Sequence, residues 1–313
     1  MKAAVLRKFC SPLTIEERPN PEPRGEEVLV RVKGAGVCRS DLHIIDGRHP
    51  NTSLPLILGH EISGEVEGLG DVLVYASWGC RSCDMCANGN EQLCSRATEA
   101  GWVRDGGYAE YVAVPSVRYL LPLDGLDPIR AAPLADAGVT PYRAVRRIHQ
   151  WLQSDSTAVV VGVGALGQFA VQYIKLLTKA NVIAVDLNDS KLRAALELGA
   201  DEAMHPNELA RSVDAVLDFV GQDSTLELAT RVVKMGGESS WRSAKQEDMW
   251  LLACLLFHMR PILRLQSGGP SKTWLLFWNL LAKTRSSGQS KLSRWTKPTR
   301  HYFVSGKATS LEK

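Results

Sequence analysis

The chain has 313 residues, of which 45% are hydrophobic and 23% charged, with 37 Lys and Arg against 34 Asp and Glu. That balance belongs to a globular protein of about two domains and excludes fibrous, collagenous and wholly disordered chains. The net charge of +3 hides an asymmetry, because residues 1–237 carry 24 basic and 30 acidic side chains (net −6) whereas residues 238–313 carry 13 and 4 (net +9).

Residues 1–7 have no long apolar core, so no secretory signal is expected. The longest apolar runs, such as 251–257 and 274–278, are far shorter than the roughly 18 residues of a membrane span. A cytoplasmic protein without a membrane partner follows as the expectation. Four of the seven cysteines lie within fifteen residues, and in a reducing compartment such clustering favours metal over disulfides.

Up to about residue 120 the sequence gives short β-branched runs at 28–32, 72–75 and 111–114, separated by Gly and Pro, which predicts an all-β, barrel-like domain. From about residue 130 strands and helices alternate: a strand over 158–161, a helix over 165–177, a strand over 182–185, a helix over 190–198 and a strand over 215–219. This is the rhythm of a doubly wound parallel sheet, so the fold class expected is α/β plus β.

The stretch Val161-Gly162-Val163-Gly164-Ala165-Leu166-Gly167 runs from a strand through G-x-G-x-x-G into a helix. The first glycine permits the tight turn, the second lets a pyrophosphate approach the backbone, and the third lets helix and strand pack closely. Asp186 ends the next strand, 19 residues beyond Gly167, where a carboxylate accepts hydrogen bonds from ribose hydroxyls and repels a 2′-phosphate. Dinucleotide binding, with NAD rather than NADP, is the reading; a mere tight turn is the plainer alternative.

Cys80, Cys83, Cys86 and Cys94 place four thiolates on one loop, enough to close a tetrahedral zinc shell with no open position, which marks a structural site. The segments Cys38-Arg39-Ser40-Asp41-Leu42-His43 and Gly59-His60-Glu61 are weaker taken alone, since a lone Cys or His is more often a packed residue. Together with Asp136 they can supply S, N and O ligands to a second zinc that keeps a position for substrate.

These motifs, in this order, resemble the zinc-dependent medium-chain alcohol dehydrogenases over residues 1 to about 237. The resemblance implies a GroES-like β-barrel catalytic domain over 1–137 and a Rossmann NAD-binding domain over 138–237. It implies two zincs per chain, with Cys38, His60 and Asp136 at the catalytic one, Glu61 beside it and Asp41 orienting the imidazole. Ser40 and His43 match a proton relay, Arg39 a pyrophosphate contact and Thr140 a residue beside the nicotinamide; Gly162, Gly164, Ala165, Leu166, Gly167 and Asp186 complete the cofactor site. The implied reaction moves hydride between a primary or secondary alcohol and NAD while zinc polarises the alcohol oxygen. Many members have Cys at the position of Asp136, and this harder ligand is expected to raise the Lewis acidity of the zinc. Asp136→Cys should then shift the pH profile of turnover. A homo-oligomer, dimer or tetramer, is the family's usual state, and no nucleic-acid partner is expected. Related polyol or amino-alcohol dehydrogenases, or an inactive zinc-stabilised remnant, are the alternatives. Trp78 and Trp102 are plausible apolar pocket residues, though ordinary core is as common a place for tryptophan.

Two departures from the pattern stand out. The stretch 64–72 is shorter than the family's two strands and turn, so a hairpin is expected to be missing and its neighbours unpaired. After Gly237 the expected buried strand is replaced by a basic segment holding five of the eight tryptophans. Back-translation in the phase that joins the third base of each codon to the first two of the next permits Ile-Val-Val-Ala-Val-Gly-Glu from residue 238 onward, and helices resembling the family's C-terminal ones from 267–282 and 294–306. Residues 238–313 are therefore read as an out-of-frame tail that leaves the Rossmann sheet incomplete after 237. The alternative, a basic tail that binds nucleic acid or membrane, fits poorly with Lys and Arg scattered among Trp, Leu and Ser.

Overall fold

The computed structural model describes residues 1–49, 51–234 and the strand Leu251–Ala253, and divides them at Asp136/Ala137 into two compact units. In the first, β1 (Lys2–Leu6), β2 (Thr14–Glu17) and β3 (Val28–Gly36) precede a short helix α1 (Arg39–Ile45). Strands β4 (Leu56–Ile57), β5 (Glu61–Val66), β6 (Gly70–Val74) and β7 (Ser77–Trp78) follow, then α2 (Asp84–Ala87), β8 (Thr98–Glu99), β9 (Tyr111–Val114), β10 (Leu120–Pro122) and α3 (Pro128–Ala131). The main sheet is antiparallel in the order β10-β6-β5-β3-β9, and β2-β1-β4 and β7-β8 form two smaller sheets. Val30, Ile62, Val72, Val74, Trp78, Val112 and Val114 pack into one buried cluster. Alternate residues of β9 point inward, while β5 and the end of β6, in the middle of the sheet, are buried on both faces.

The short stretch 64–72 corrects one expectation, because no strand beside it loses its partners. Leu69 N–H donates to Val66 C=O at 3.0 Å, Gly68 and Gly70 both take φ +78°, and β5 turns directly into β6 with Val66 facing Gly70. Two glycines in the left-handed region let three residues reverse the chain. The outer edge of β6 is then covered by β10.

The second unit opens with α4 (Val139–Ile148) and continues β11 (Thr157–Val161), α5 (Ala165–Leu177), β12 (Asn181–Val185), α6 (Asp189–Glu197), β13 (Glu202–Met204), β14 (Ala215–Asp218), α7 (Asp223–Val232) and β15 (Leu251–Ala253). All pairings are parallel, in the order β13-β12-β11-β14-β15. Strands β11 and β12 are buried over four of their five residues, which is why they read as continuous apolar runs.

The sheet does not stop at residue 237, contrary to expectation. Leu251, Leu252 and Ala253 pair with Val216, Leu217 and Asp218 and occupy the free edge of β14. An unpaired apolar edge accepts any short extended segment able to complete its ladder. The remainder of the tail, 238–250 and 254–313, lies outside the described residues. Among the described residues no helix is long and apolar enough to cross a membrane.

Candidate active site, metal centres and dinucleotide turn

Strand β3 delivers the chain to Cys38, which caps α1. Asp41, three residues on, accepts the Cys38 backbone N–H at 2.9 Å, closing the first turn and fixing where the thiol lies. His60 comes from a segment held by glycines. Gly106 N–H donates to Ile57 C=O and Gly107 N–H to Gly59 C=O, both at 2.8 Å, while Tyr108 N–H reaches Leu58 C=O at 2.9 Å. Gly59 takes φ +93°, and a Cβ there would lie 2.5 Å from the Tyr108 ring, so only glycine fits. Asp136 follows a short 3₁₀ turn over Ala132–Ala135.

These three elements bring Cys38, His60 and Asp136 together, with ligand atoms within 4.8 Å of one another. Asp136 Oδ2 lies 3.5 Å from both His60 Nε2 and Cys38 Sγ. Ligands placed tetrahedrally at zinc-bond lengths of about 2.0–2.3 Å are separated by roughly 3.3–3.8 Å, so the set fits a zinc ion. His60 Nε2 is buried with no hydrogen-bond partner, as a nitrogen aimed at a cation should be. Burial disfavours the imidazolium, yet Asp136, Asp41 and Cys38 around it outweigh that penalty and raise its pKa well above the usual value; burial pushes the Cys38 thiol up.

The surroundings of the triad hold it in place. Asp41 Oδ1 is buried, lacks a hydrogen bond and stands 3.5 Å from His60 Nδ1, while Oδ2 accepts the Tyr108 hydroxyl at 2.7 Å. Trp102 packs edge-on against the His60 ring, its Nε1 3.1 Å from Nδ1, whose proton belongs to Asp41 when Nε2 faces a metal. Glu61 is buried at the start of β5, opposite Gly36, and its carboxylate fills the space a side chain at 36 would need. Ser40 Oγ is 3.4 Å from the Cys38 thiol, and His43 lies one turn further along α1, half-buried. Arg39 is exposed at the start of the same helix. Thr140 lies in the first turn of α4, half-buried.

Cys80, Cys83, Cys86 and Cys94 converge in a lobe between β7 and β8. Their sulfurs lie 3.6 Å (Cys83 to Cys86), 3.7 Å (Cys83 to Cys94) and 3.9 Å (Cys80 to Cys86) apart. A regular tetrahedron with Zn–S bonds of about 2.3 Å has S···S edges of about 3.8 Å, so four thiolates here fit zinc with no position left over. The Ser82 N–H and hydroxyl lower the Cys80 thiol to about 5, while burial pushes Cys86 up to about 12.

In the second unit Gly162 ends β11 with φ +85° and donates its N–H to Val185 C=O at 2.8 Å. Gly164 caps α5, and nothing lies within 4 Å of where its Cβ would be, which leaves room for a phosphate at the start of the Ala165–Leu166–Gly167 turn. A Cβ on Gly167 would strike the Gly162 carbonyl, so that glycine is needed for close packing. Asp186 accepts Val163 N–H at 2.8 Å and Asn188 N–H at 3.0 Å, which fixes its carboxylate at the end of β12 beside the glycine turn.

The two ligand sets, and separately the glycine turn with Asp186, thus each come together, while Arg39, His43 and Thr140 are placed only by their positions on α1 and α4. Tyr108 escaped the sequence reading, and Trp102, considered there only as a possible pocket wall, instead contacts the back of His60. Neither has a spacing signal, since Tyr108 meets Asp41 across 67 residues and Trp102 meets His60 across 42.

A β unit with one open and one closed metal cluster, together with a parallel sheet carrying a glycine-rich phosphate turn, defines a zinc-binding dehydrogenase. Comparison agrees: residues 24–125 match the alcohol dehydrogenase GroES-like domain, and residues 165–266 the zinc-binding dehydrogenase domain. The D-arabinose 1-dehydrogenase (NADP(+)) of Saccharolobus solfataricus is 38% identical over 72% of this chain and 69% of its own. An NAD-dependent alcohol dehydrogenase of Sulfurisphaera tokodaii is 37% identical over 76% and 77%. The crystal structure of the Aeropyrum pernix alcohol dehydrogenase superposes with a TM-score of 0.71 at 34% identity, covering 75% of this chain and 77% of that one. A cobalt- and zinc-bound alcohol dehydrogenase from Pyrobaculum aerophilum superposes at 0.73 with 26% identity, over 97% and 98%. The chain belongs to the zinc-dependent medium-chain alcohol dehydrogenase family, with zinc and NAD as its cofactors.

Proposed function

We propose that this chain transfers hydride between a primary or secondary alcohol and NAD. The observation that carries the reading is the open cluster of Cys38, His60 and Asp136, with a buried, unpartnered His60 Nε2 aimed into it. Zinc held there supplies Lewis acidity that lowers the pKa of an alcohol oxygen. Asp41 orients the His60 ring from the Nδ1 side, and Glu61 sets the negative charge beside the cluster. Ser40, next to the Cys38 thiol, takes the alcohol proton, and His43, one turn along α1, passes it to solvent. Cys80, Cys83, Cys86 and Cys94 hold the second, structural zinc. Gly162, Gly164, Ala165, Leu166 and Gly167 take the pyrophosphate, with Arg39 as a further pyrophosphate contact and Thr140 beside the nicotinamide. Asp186 takes the adenosine ribose and disfavours a 2′-phosphate.

The intact ligand sets and the dehydrogenase relatives count against an inactive remnant. A polyol or sugar substrate remains the second reading, favoured by the 38% identity to the D-arabinose enzyme. We further propose a cytoplasmic homo-oligomer and an out-of-frame origin for residues 238–313. What supports the latter is the net charge of +9 and the five tryptophans that residues 238–313 hold; the zinc-binding dehydrogenase match, which runs on to residue 266, stands against it. The coding DNA across Gly237 and Glu238 tests that origin.

The experiment for the activity measures NADH formation with a panel of simple alcohols, polyols and aldoses, alongside zinc content. Two zincs per chain with turnover are expected. One zinc with no turnover on any substrate would refute the reading.

A further inference from the structure

We infer that Asp218 is a positioning residue for the dinucleotide, which its buried carboxylate serves by fixing the 219–221 loop as one wall of the glycine turn. The inference rests on the NAD-binding reading above and concerns a group with no part in the proposed proton or metal chemistry.

Asp218 ends β14 and is fully buried. Its Oδ1 accepts the backbone N–H of Val220 at 2.8 Å and of Gly221 at 3.2 Å. Its Oδ2 accepts the Thr225 hydroxyl at 2.7 Å, and that hydroxyl in turn accepts Gln222 N–H at 3.0 Å, where α7 begins. One carboxylate therefore ties together the end of a strand, the loop after it and the first turn of a ten-residue helix. An ionised group this deep is costly unless its lone pairs are filled, and here three donors converge on it.

What that loop does is visible at Gly162. A Cβ there would lie 2.5 Å from Val220 Cγ2, 3.5 Å from Phe219 C and 3.6 Å from Val220 N. One methyl of the loop thus occupies the space a side chain at 162 would need, with the loop backbone behind it, while Phe219 N–H donates to Val161 C=O at 2.9 Å just before it. Gly162 takes φ +85°, a conformation with no side chain of its own to hold it, so its direction is set by what packs against it. Releasing the loop loosens that support and weakens the pyrophosphate contact, with no change at the alcohol side.

The test is NADH affinity by tryptophan-fluorescence quenching, with steady-state kinetics, on the full-length protein and on Asp218→Ala, Asp218→Asn and Thr225→Val. Asn keeps an oxygen for Val220 and Gly221, and its amide donates to Thr225, whose hydroxyl turns to Gln222 C=O, 2.9 Å away. Asp218→Ala is expected to raise the NADH Kd and the KM for NAD by about tenfold, as loss of charge-assisted bonds implies, leaving kcat and the KM for alcohol unchanged. Asp218→Asn should recover affinity to within about threefold of the parent, and Thr225→Val should weaken it by about threefold. A folded Asp218→Ala protein that binds NADH like the parent, or an Asn variant as weak as Ala, would overturn the inference. If Asp218→Ala does not fold, unchanged affinity in Thr225→Val does so. A parent protein that fails to bind NADH overturns the NAD reading itself, a different result from a variant-specific one.

Discussion

Replacing Tyr108 by Phe removes one hydroxyl and leaves in place the ring that packs on Gly59. The hydroxyl has two acceptors in reach, Asp41 Oδ2 at 2.7 Å and Gly36 C=O at 3.2 Å, and its single proton goes to the nearer, charged one. Asp41 then keeps only the Cys38 N–H on that oxygen, and its other oxygen is the one facing His60. Loss of a buried hydrogen bond to a carboxylate costs about 1.5–3 kcal/mol. Loosening the partner of a metal-ligating histidine lowers metal affinity by about 10–100-fold. The variant should therefore unfold at lower urea, with a stability loss of about 2 kcal/mol, and lose the zinc of the open cluster first when titrated with a chelator. The zinc of the four-cysteine lobe, which Tyr108 does not touch, should resist as in the parent. Metal retention within twofold of the parent at both sites would show that Asp41 is held without Tyr108 and would refute the reasoning.

Cys86→Ala removes a buried ligand of the closed cluster, and zinc analysis should read one metal per chain in place of two, with a lower melting temperature. Asp186→Ser should shift the ratio of kcat/KM for NAD over NADP downward by about tenfold, because the charge facing a 2′-phosphate is gone; an unchanged ratio would remove Asp186 from the specificity site. The Arg104 guanidinium, 2.6 Å from Glu27, holds the Glu27 carboxyl below its usual range, against the opposing effect of burial. A depressed carboxyl contributes stability above its unfolded pKa of about 4.3 and loses that contribution as pH falls through the folded value. Glu27→Gln should thus be less stable than the parent by about 1 kcal/mol at neutral pH, and urea midpoints of the two should converge in acid.

How much of this was legible beforehand follows from the distance over which each signal acts. The four cysteines and the glycine turn are local, and their spacing is the geometry, so both sites could be read residue by residue. Strands β11, β12 and β14 of the parallel sheet were equally plain because burial leaves unbroken apolar runs, whereas β13, with an exposed Glu202 and half-buried Ala203 and Met204, carries no such run. The support of the open cluster was not: Asp41 and Tyr108 meet only after β3, β4 and the glycine-rich 101–107 segment have closed on one another. The pairing around the shortened 64–72 stretch was misjudged because two glycines of positive φ let three residues make the turn, so β5 and β6 pair with each other. Strand β15 was missed because an edge recruits three apolar residues that carry no strand pattern of their own.

The two metal clusters also differ in how far apart along the chain their ligands lie, and this sets an order of assembly. Cys80 and Cys94 are 14 residues apart, whereas Cys38 and Asp136 are separated by 98. Loop closure costs (3/2)RT ln n, so bringing the outer pair together takes about 1.7 kcal/mol more, roughly a twentyfold difference in the unfolded chain. During refolding in limiting zinc, the lobe is expected to gather its ion while the rest of the β unit is still open. The open cluster should take up metal only once the antiparallel sheet has formed. A partly metallated preparation of this protein is therefore expected to be folded with its lobe filled, and adding zinc without renaturation should restore its activity.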